Sequence, residues 1–257
     1  MKKIGLALSG GGARGFAHVG AVKILASHGI SFDMIAGTSA GSIVGAALAS
    51  GMTPDEIEAM ARKVGWLNTL RPSFSIGGLL SSAPMGNMLR RELPATRFED
   101  LKIPFAAVAY DIDKGEQVLL KGSGGLITAI RASCAVPGVF APIRVGDRLL
   151  VDGGVTSVLP VDAVRGMGAD IVIAIDLLKC GNSFKRSPRT GLGIAIRSAM
   201  AVIGASSAAE RGRCDCLIEP AIAHIRPDQL KRADESIRLG EEAALKQIDK
   251  IRQVIDR

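Results

Sequence analysis

Met34-Ile35-Ala36-Gly37-Thr38-Ser39-Ala40-Gly41-Ser42-Ile43-Val44-Gly45-Ala46-Ala47-Leu48-Ala49-Ser50 is the stretch whose reading decides the fold. Met34-Ile35-Ala36 is a short apolar run with strand character, and Ser42 to Ser50 is small and apolar, as in a buried helix that stops at Gly51. Between them, Gly37-Thr38-Ser39-Ala40-Gly41 has the form G-x-S-x-G. Two glycines permit a tight strand-to-helix turn that a Cβ would obstruct, and the serine at its tip then faces the positive end of the next helix.

Working outward, Ile4 to Leu8 is another apolar run, ending in Ser9-Gly10-Gly11-Gly12. It reads as a buried parallel strand, because the apolar stretch fails too soon for a secretory core. Phe16, Val19, Val22 and Leu25 share one side of a helix over 16–27. Thr53-Pro54-Asp55-Glu56 is a helix start with a capping box. Phe105 to Ile112 and Gln117 to Lys121 form a hairpin around Asp113-Lys114-Gly115-Glu116. A helix over 126–134, two short strands around Gly146-Asp147, a helix over 160–166 and an apolar strand over 170–177 follow. A helix over 191–209, a short strand over 217–219 and one charged helix from Pro227 to the end complete the reading. Gly65 to Ala83 has no clean period and reads as a long connection or a lid.

Alternation of strands and helices implies an α/β fold: a single three-layer domain over 1–257 with a mostly parallel central sheet. The motifs fall in a core of about 3–178, with a helical part at about 190–257. A length of 257 residues, 47% hydrophobic, suits one such core. Aromatic content of 4% argues against a nucleic-acid reader that stacks bases. No run approaches the roughly 20 apolar residues of a membrane span. The net charge of +7 is concentrated between Lys179 and Arg213, where Lys179, Lys185, Arg186, Arg189, Arg197, Arg211 and Arg213 face one acid, Glu210. Such a stretch is either a solvated loop or a patch for anionic partners such as membrane headgroups. Cys134, Cys180, Cys214 and Cys216 have no metal spacing and read as reduced thiols, hence a cytoplasmic setting.

Three polar motifs follow strands: Gly10-Gly11-Gly12-Ala13-Arg14-Gly15, Gly37-Thr38-Ser39-Ala40-Gly41 and Asp152-Gly153-Gly154. Sites in open α/β sheets form at the carboxyl ends of strands, so the three are expected to converge there. The glycines offer unobstructed N–H donors for an oxyanion, and Arg14 adds positive charge. Asp152 is placed to accept a serine proton. Gly10, Gly12 and Gly15 also fit the dinucleotide fingerprint G-x-G-x-x-G, but Asp33 precedes its strand and so sits at the wrong end for a ribose-binding acid. Of the histidines, His18 and His28 lie on the first helix, and His224 would complete a triad in α/β-hydrolase order. Only one strand precedes the serine turn, unlike those enzymes, which favours a Ser39–Asp152 dyad without histidine.

Together these motifs resemble the patatin-like phospholipases, and are similar to compact bacterial members. Arg131-Ala132-Ser133-Cys134-Ala135-Val136-Pro137-Gly138-Val139-Phe140 also resembles the family's segment before the catalytic aspartate, and Leu159-Pro160-Val161-Asp162 the segment after it. Where relatives often carry Asn-Pro-Leu-Pro, this chain has Ser157-Val158-Leu159-Pro160. The resemblance implies that Ser39 attacks an acyl ester, Asp152 takes its proton, and Gly10, Gly11, Gly12 and Arg14 form the oxyanion hole. Gly15, Gly37, Gly41, Gly153 and Gly154 would support these motifs. It implies phospholipid, lysophospholipid or related acyl-lipid substrates, no metal and no organic cofactor. Peripheral contact with an anionic membrane at its inner face is a further expectation. The alternative is a regulatory or lipid-binding protein on the same fold with little turnover.

Overall fold

A computed structural model describes residues 2–65, 71–72, 80–178 and 190–257. An eight-stranded sheet organises them. Its strands are β1 (Ile4–Leu8), β2 (Met34–Thr38), β5 (Phe105–Asp111), β6 (Glu116–Lys121), β7 (Ile143–Val145), β8 (Arg148–Asp152), β9 (Ile171–Ile175) and β10 (Cys216–Ile218). β10, β9, β1, β2 and β5 run parallel in that order. β6, β7 and β8 add antiparallel pairings. A small second ladder pairs β3 (Arg71–Pro72) with β4 (Leu80–Ser81). Most of the irregular stretch from Gly65 to Ala83 otherwise lies outside the described residues.

Alternation along the strands sorts the core into two faces. Leu6, Leu8, Ile35, Ile173 and Ile175 point into the larger cluster. There they meet α1 (Phe16–Ser27), α2 (Ala40–Ala49), α3 (Pro54–Arg62), α4 (Ala83–Glu92) and α5 (Leu126–Ser133), together with α8 (Ala233–Leu245) and α9 (Ile248–Ile255). Ala7, Ala36, Ala106, Val172 and Ala174 point the other way, toward α6 (Val161–Gly166). Small residues on that face let a short helix lie close to the sheet. α7 (Gly191–Arg211) reaches over the turn that follows β8.

Local chemistry sets several boundaries as the sequence implies. The Thr53 hydroxyl accepts from the Glu56 N–H, while the Glu56 carboxylate accepts from the Thr53 N–H at 2.7 Å, closing the capping box of α3. In the 113–116 hairpin, the Asp111 carboxylate accepts from the Asp113 N–H at 3.1 Å, and Gly115 takes a φ of 71°. The C-terminal region departs from the single helix expected. Pro227 gives its carbonyl to the Ala13 N–H at 2.8 Å, so it serves the glycine loop rather than opening a helix. A short 3₁₀ turn over Leu230–Arg232 precedes α8, and the chain breaks again before α9.

α8 crosses α1 at glycines. An ideal Cβ on Gly240 would lie 2.0 Å from the Ala17 carbonyl oxygen, and one on Gly20 would lie 2.0 Å from that of Ile237. The two backbones are therefore nearly in contact. Gly240→Ala must push the helices apart, so we expect a loss of about 1–3 kcal/mol in unfolding free energy, read from a lower denaturation midpoint at unchanged m.

Candidate active site

β6 occupies one edge of β5 from Ala106 to Asp111, so the other edge must hold both remaining partners. β2 takes the first part of that edge, with Thr38 opposite Val108. β8 takes the rest from the opposite direction, with Asp152 opposite Ala109. The ends of β2 and β8 thus meet head-on beside adjacent residues of β5. Asp152 ends its own strand, as the sequence reading expected, but β8 runs antiparallel to β5 and meets the carboxyl end of β2 from the opposite direction.

Ser39 follows Thr38 directly and is the one non-glycine residue with positive φ among those described, at φ 51° and ψ −122°. That conformation is costly for a residue with a Cβ. It is held by backbone approaches that only glycine permits. An ideal Cβ on Gly37 would lie 2.4 Å from the Gly41 carbonyl oxygen, and one on Gly41 would lie 2.2 Å from that of Leu8. The Ser39 N–H donates to the Ser133 hydroxyl at 2.9 Å, and the Ser39 carbonyl accepts from the Ser42 hydroxyl at 2.6 Å.

Asp152 is 2% exposed. One carboxylate oxygen accepts from the Gly154 N–H at 2.8 Å. Burial pushes its pKa up to about 6, against the opposing pull of the Gly154 N–H and of the neighbouring Ser39 side chain. Gly153 packs on the Val108 carbonyl and Gly154 under Ile203 of α7. Cys134 also touches Ser39 and Ser42, and its thiol, pushed up to about 12 by burial, stays neutral.

The glycine loop passes against the nucleophile: an ideal Cβ on Gly10 would lie 3.3 Å from the Ser39 Cβ, and one on Gly15 2.7 Å from the Ala40 Cβ. Gly12 has φ 57° and lies close under the Pro227 carbonyl. The N–H groups of Gly11 and Gly12 have no acceptor among the described residues. Two expected oxyanion donors are engaged elsewhere. The Gly10 N–H donates to the Val158 carbonyl at 2.9 Å. The buried Arg14 guanidinium donates to the carbonyls of Ile225 at 2.6 Å, Ala223 at 3.2 Å and Leu177 at 3.4 Å. Beneath the loop, the Ser9 carbonyl bonds the Nε2 of buried His18 at 2.8 Å, and burial lowers the His18 pKa to about 4.

Other candidates separate from the site. His224 is half-exposed and pairs with Glu235 at 2.8 Å, and His28 bonds the Ile24 carbonyl, so both are engaged elsewhere. Asp33 accepts from the Ile4 N–H at 2.7 Å, at the end of β1 away from the glycine loop, which removes the dinucleotide reading. Of the basic stretch, Lys179, Lys185, Arg186 and Arg189 lie outside the described residues. Arg211 pairs with Asp176, and Arg213 with Asp162. Among the described residues no three His, Cys, Asp or Glu side chains group as metal ligands would, and no helix is long and apolar enough to cross a membrane.

Sequence reading missed one neighbour. The Ser157 carbonyl accepts from the Thr38 hydroxyl at 2.9 Å, while the Ser157 hydroxyl donates to Glu210 of α7 at 2.9 Å. Burial raises the Glu210 pKa to about 7. Ser157 thus joins α7 to β2.

A mixed sheet with a strained serine elbow and a buried aspartate beside it defines an α/β protein built like VipD from Legionella pneumophila. The two superpose with a TM-score of 0.56 over 97% of this chain and 67% of that one, at 15% sequence identity. The patatin-like phospholipase family model matches residues 6–165, and the chain belongs to that family. An uncharacterized NTE family protein of Mycobacterium tuberculosis is 40% identical over 178 residues, covering 68% of this chain and 49% of that protein. Patatin-like phospholipase domain-containing protein 6 of Mus musculus is 33% identical over 182 residues, covering 68% of this chain and 13% of that protein. The chain spans about half the length of the mycobacterial relative and a much smaller share of the mouse one.

The strain at Ser39 is measurable. Glycine adopts its φ of 51° freely, so Ser39→Gly should be more stable than Ser39→Ala by about 1 kcal/mol in thermal or chemical unfolding, despite glycine's greater chain entropy.

Proposed function

We propose that the chain is a serine acyl-ester hydrolase acting on phospholipids, lysophospholipids or related acyl lipids through a Ser39–Asp152 dyad. The observation that carries this reading is a conformationally strained serine set beside a carboxylate with 2% exposure, at the facing ends of β2 and β8. Ser39 Oγ attacks the ester carbonyl carbon as Asp152 takes its proton. The tetrahedral oxyanion forms against the N–H groups of Gly11 and Gly12, beside the N-terminus of α2. Arg14 and the Gly10 N–H fix the shape of that loop rather than touching the oxyanion. As the intermediate collapses, the alcohol leaves with the proton from Asp152. Water then attacks the acyl-enzyme, Asp152 takes its proton, and the carboxylic acid departs as Ser39 recovers its hydrogen.

The protein works in the cytoplasm, at the face of an anionic membrane that it contacts peripherally. Free thiols at Cys134, Cys214 and Cys216 suit that compartment. Lys179, Lys185, Arg186 and Arg189 in the sequence before α7, and the exposed Ile194 and Val202 of α7, suit a lipid surface. Co-sedimentation with anionic vesicles should fall as salt rises; binding indifferent to salt would remove the electrostatic part of this reading.

Chemistry is tested with a fluorophosphonate probe. Wild type should label, and Ser39→Ala and Asp152→Asn should not while remaining folded. Since Asp152 accepts a proton only when ionised, and burial raises its pKa to about 6, kcat/KM should climb with pH to a plateau above an acid limb near 6. Full esterase activity in Ser39→Ala would sink the mechanism.

A further inference from the structure

Residues 133–135 touch both halves of the dyad. The Ser133 hydroxyl accepts from the Ser39 N–H at 2.9 Å. Cys134 lies against Ser39 and Ser42. The Ala135 carbonyl accepts from the Asp152 N–H at 2.9 Å. This short run leaves the end of α5, whose Leu126, Ile130 and Ala132 are fully buried, and α5 is tied to α4 by Arg131 donating to the Ser82 hydroxyl at 3.1 Å. A rigid helix end therefore measures the gap between nucleophile and base. Of its two polar links, one is a main-chain carbonyl that any residue supplies. The other depends on a side chain.

We propose that Ser133 is a positioning residue for this chemistry: its hydroxyl holds the Ser39 peptide in its strained orientation and so keeps Ser39 Oγ aimed at Asp152. The inference rests on the dyad reading above. Ser133 and Thr38 are fully buried, and the Ser133 hydroxyl is the acceptor the structure gives the Ser39 N–H, so removing it leaves that N–H without its protein partner. The Thr38–Ser39 peptide then has reason to rotate toward relaxed φ and ψ, which swings the hydroxyl off the carboxylate. Asp152 keeps its own anchor through the Ala135 carbonyl, so the effect falls on the nucleophile and not on the base. A side chain that only filled space would alter stability and leave the rate per folded molecule intact.

The experiment compares full-length wild type, Ser39→Ala, Ser133→Ala and Ser133→Thr. Readouts are the rate of fluorophosphonate labelling, kcat and KM on p-nitrophenyl butyrate, the pH profile, and circular dichroism. Folded Ser133→Ala should label about 10- to 100-fold more slowly, with a matching loss in kcat, KM within about twofold, and the acid limb still near 6. Ser133→Thr, which keeps the acceptor, should recover most of the rate. Wild-type labelling rates in folded Ser133→Ala would overturn the proposal, as would a displaced acid limb, since that places the effect on Asp152. Should Ser133→Ala fail to fold, Ser133→Cys fills the space with a weak acceptor: slowed labelling supports the assignment and an unchanged rate overturns it. Absence of Ser39-dependent labelling in wild type overturns the catalytic reading, and this one with it. Ser39-dependent labelling that is indifferent to Ser133 overturns the positioning role alone.

Discussion

β5 carries two strands on one of its edges, and most of the site follows from that sharing. β2 stops at Thr38 and β8 at Asp152 because each runs into the other beside Val108 and Ala109. Neither can extend by a residue without displacing its opposite. The chain leaves both ends sharply, β2 through the strained Ser39 elbow and β8 through the Gly153–Val155 3₁₀ turn. Ser39 and Asp152 are thus neighbours by register, set by main-chain hydrogen bonds rather than by flexible side chains.

That arrangement holds both groups in costly surroundings. Ser39 holds a φ that a Cβ resists, and Asp152 is desolvated until its pKa approaches neutrality. Burial makes the carboxylate a stronger base than it would be in water, while the Gly154 hydrogen bond favours its charged form. The same burial means that folding favours the protonated acid. Stability contributed by neutral Asp152 is lost as pH rises through about 6. His18 has the opposite sign: its pKa near 4 favours the neutral ring, so its contribution is lost as pH falls below the ordinary histidine range.

Some of this was legible in the amino-acid sequence and some was not, and the difference is one of range. Gly37, Gly41 and the Gly10–Gly12 run announce themselves because tight approaches demand glycine locally, whatever the rest of the chain does. Asp152 could be picked out, but not the direction of its strand, since parallel and antiparallel pairing is settled by partners far away in sequence. Ser133 ends a helix, where serine is unremarkable, and nothing nearby signals that its hydroxyl meets a main-chain N–H almost a hundred residues away. Glu210 reads as a solvated acid among basic residues until its contact with Ser157 is seen. The break before α8 was hidden for a like reason: Pro227 has the look of a helix start, yet its carbonyl is taken by Ala13.

The Arg14 clamp has a bearing on how far the motif-bearing region can be treated as a transferable module. Every recognisable motif lies before residue 166, where the family match ends, yet the loop that offers Gly11 and Gly12 is fastened from Ala223, Ile225 and Pro227. Sequence ancestry and mechanical support therefore have different borders. Lineages that exchange or rebuild this C-terminal part must reinvent three carbonyl acceptors in place for the guanidinium and the Ala13 N–H. Grafting the motif-bearing half onto another scaffold would carry the chemistry's vocabulary and leave behind the brace that keeps it in order.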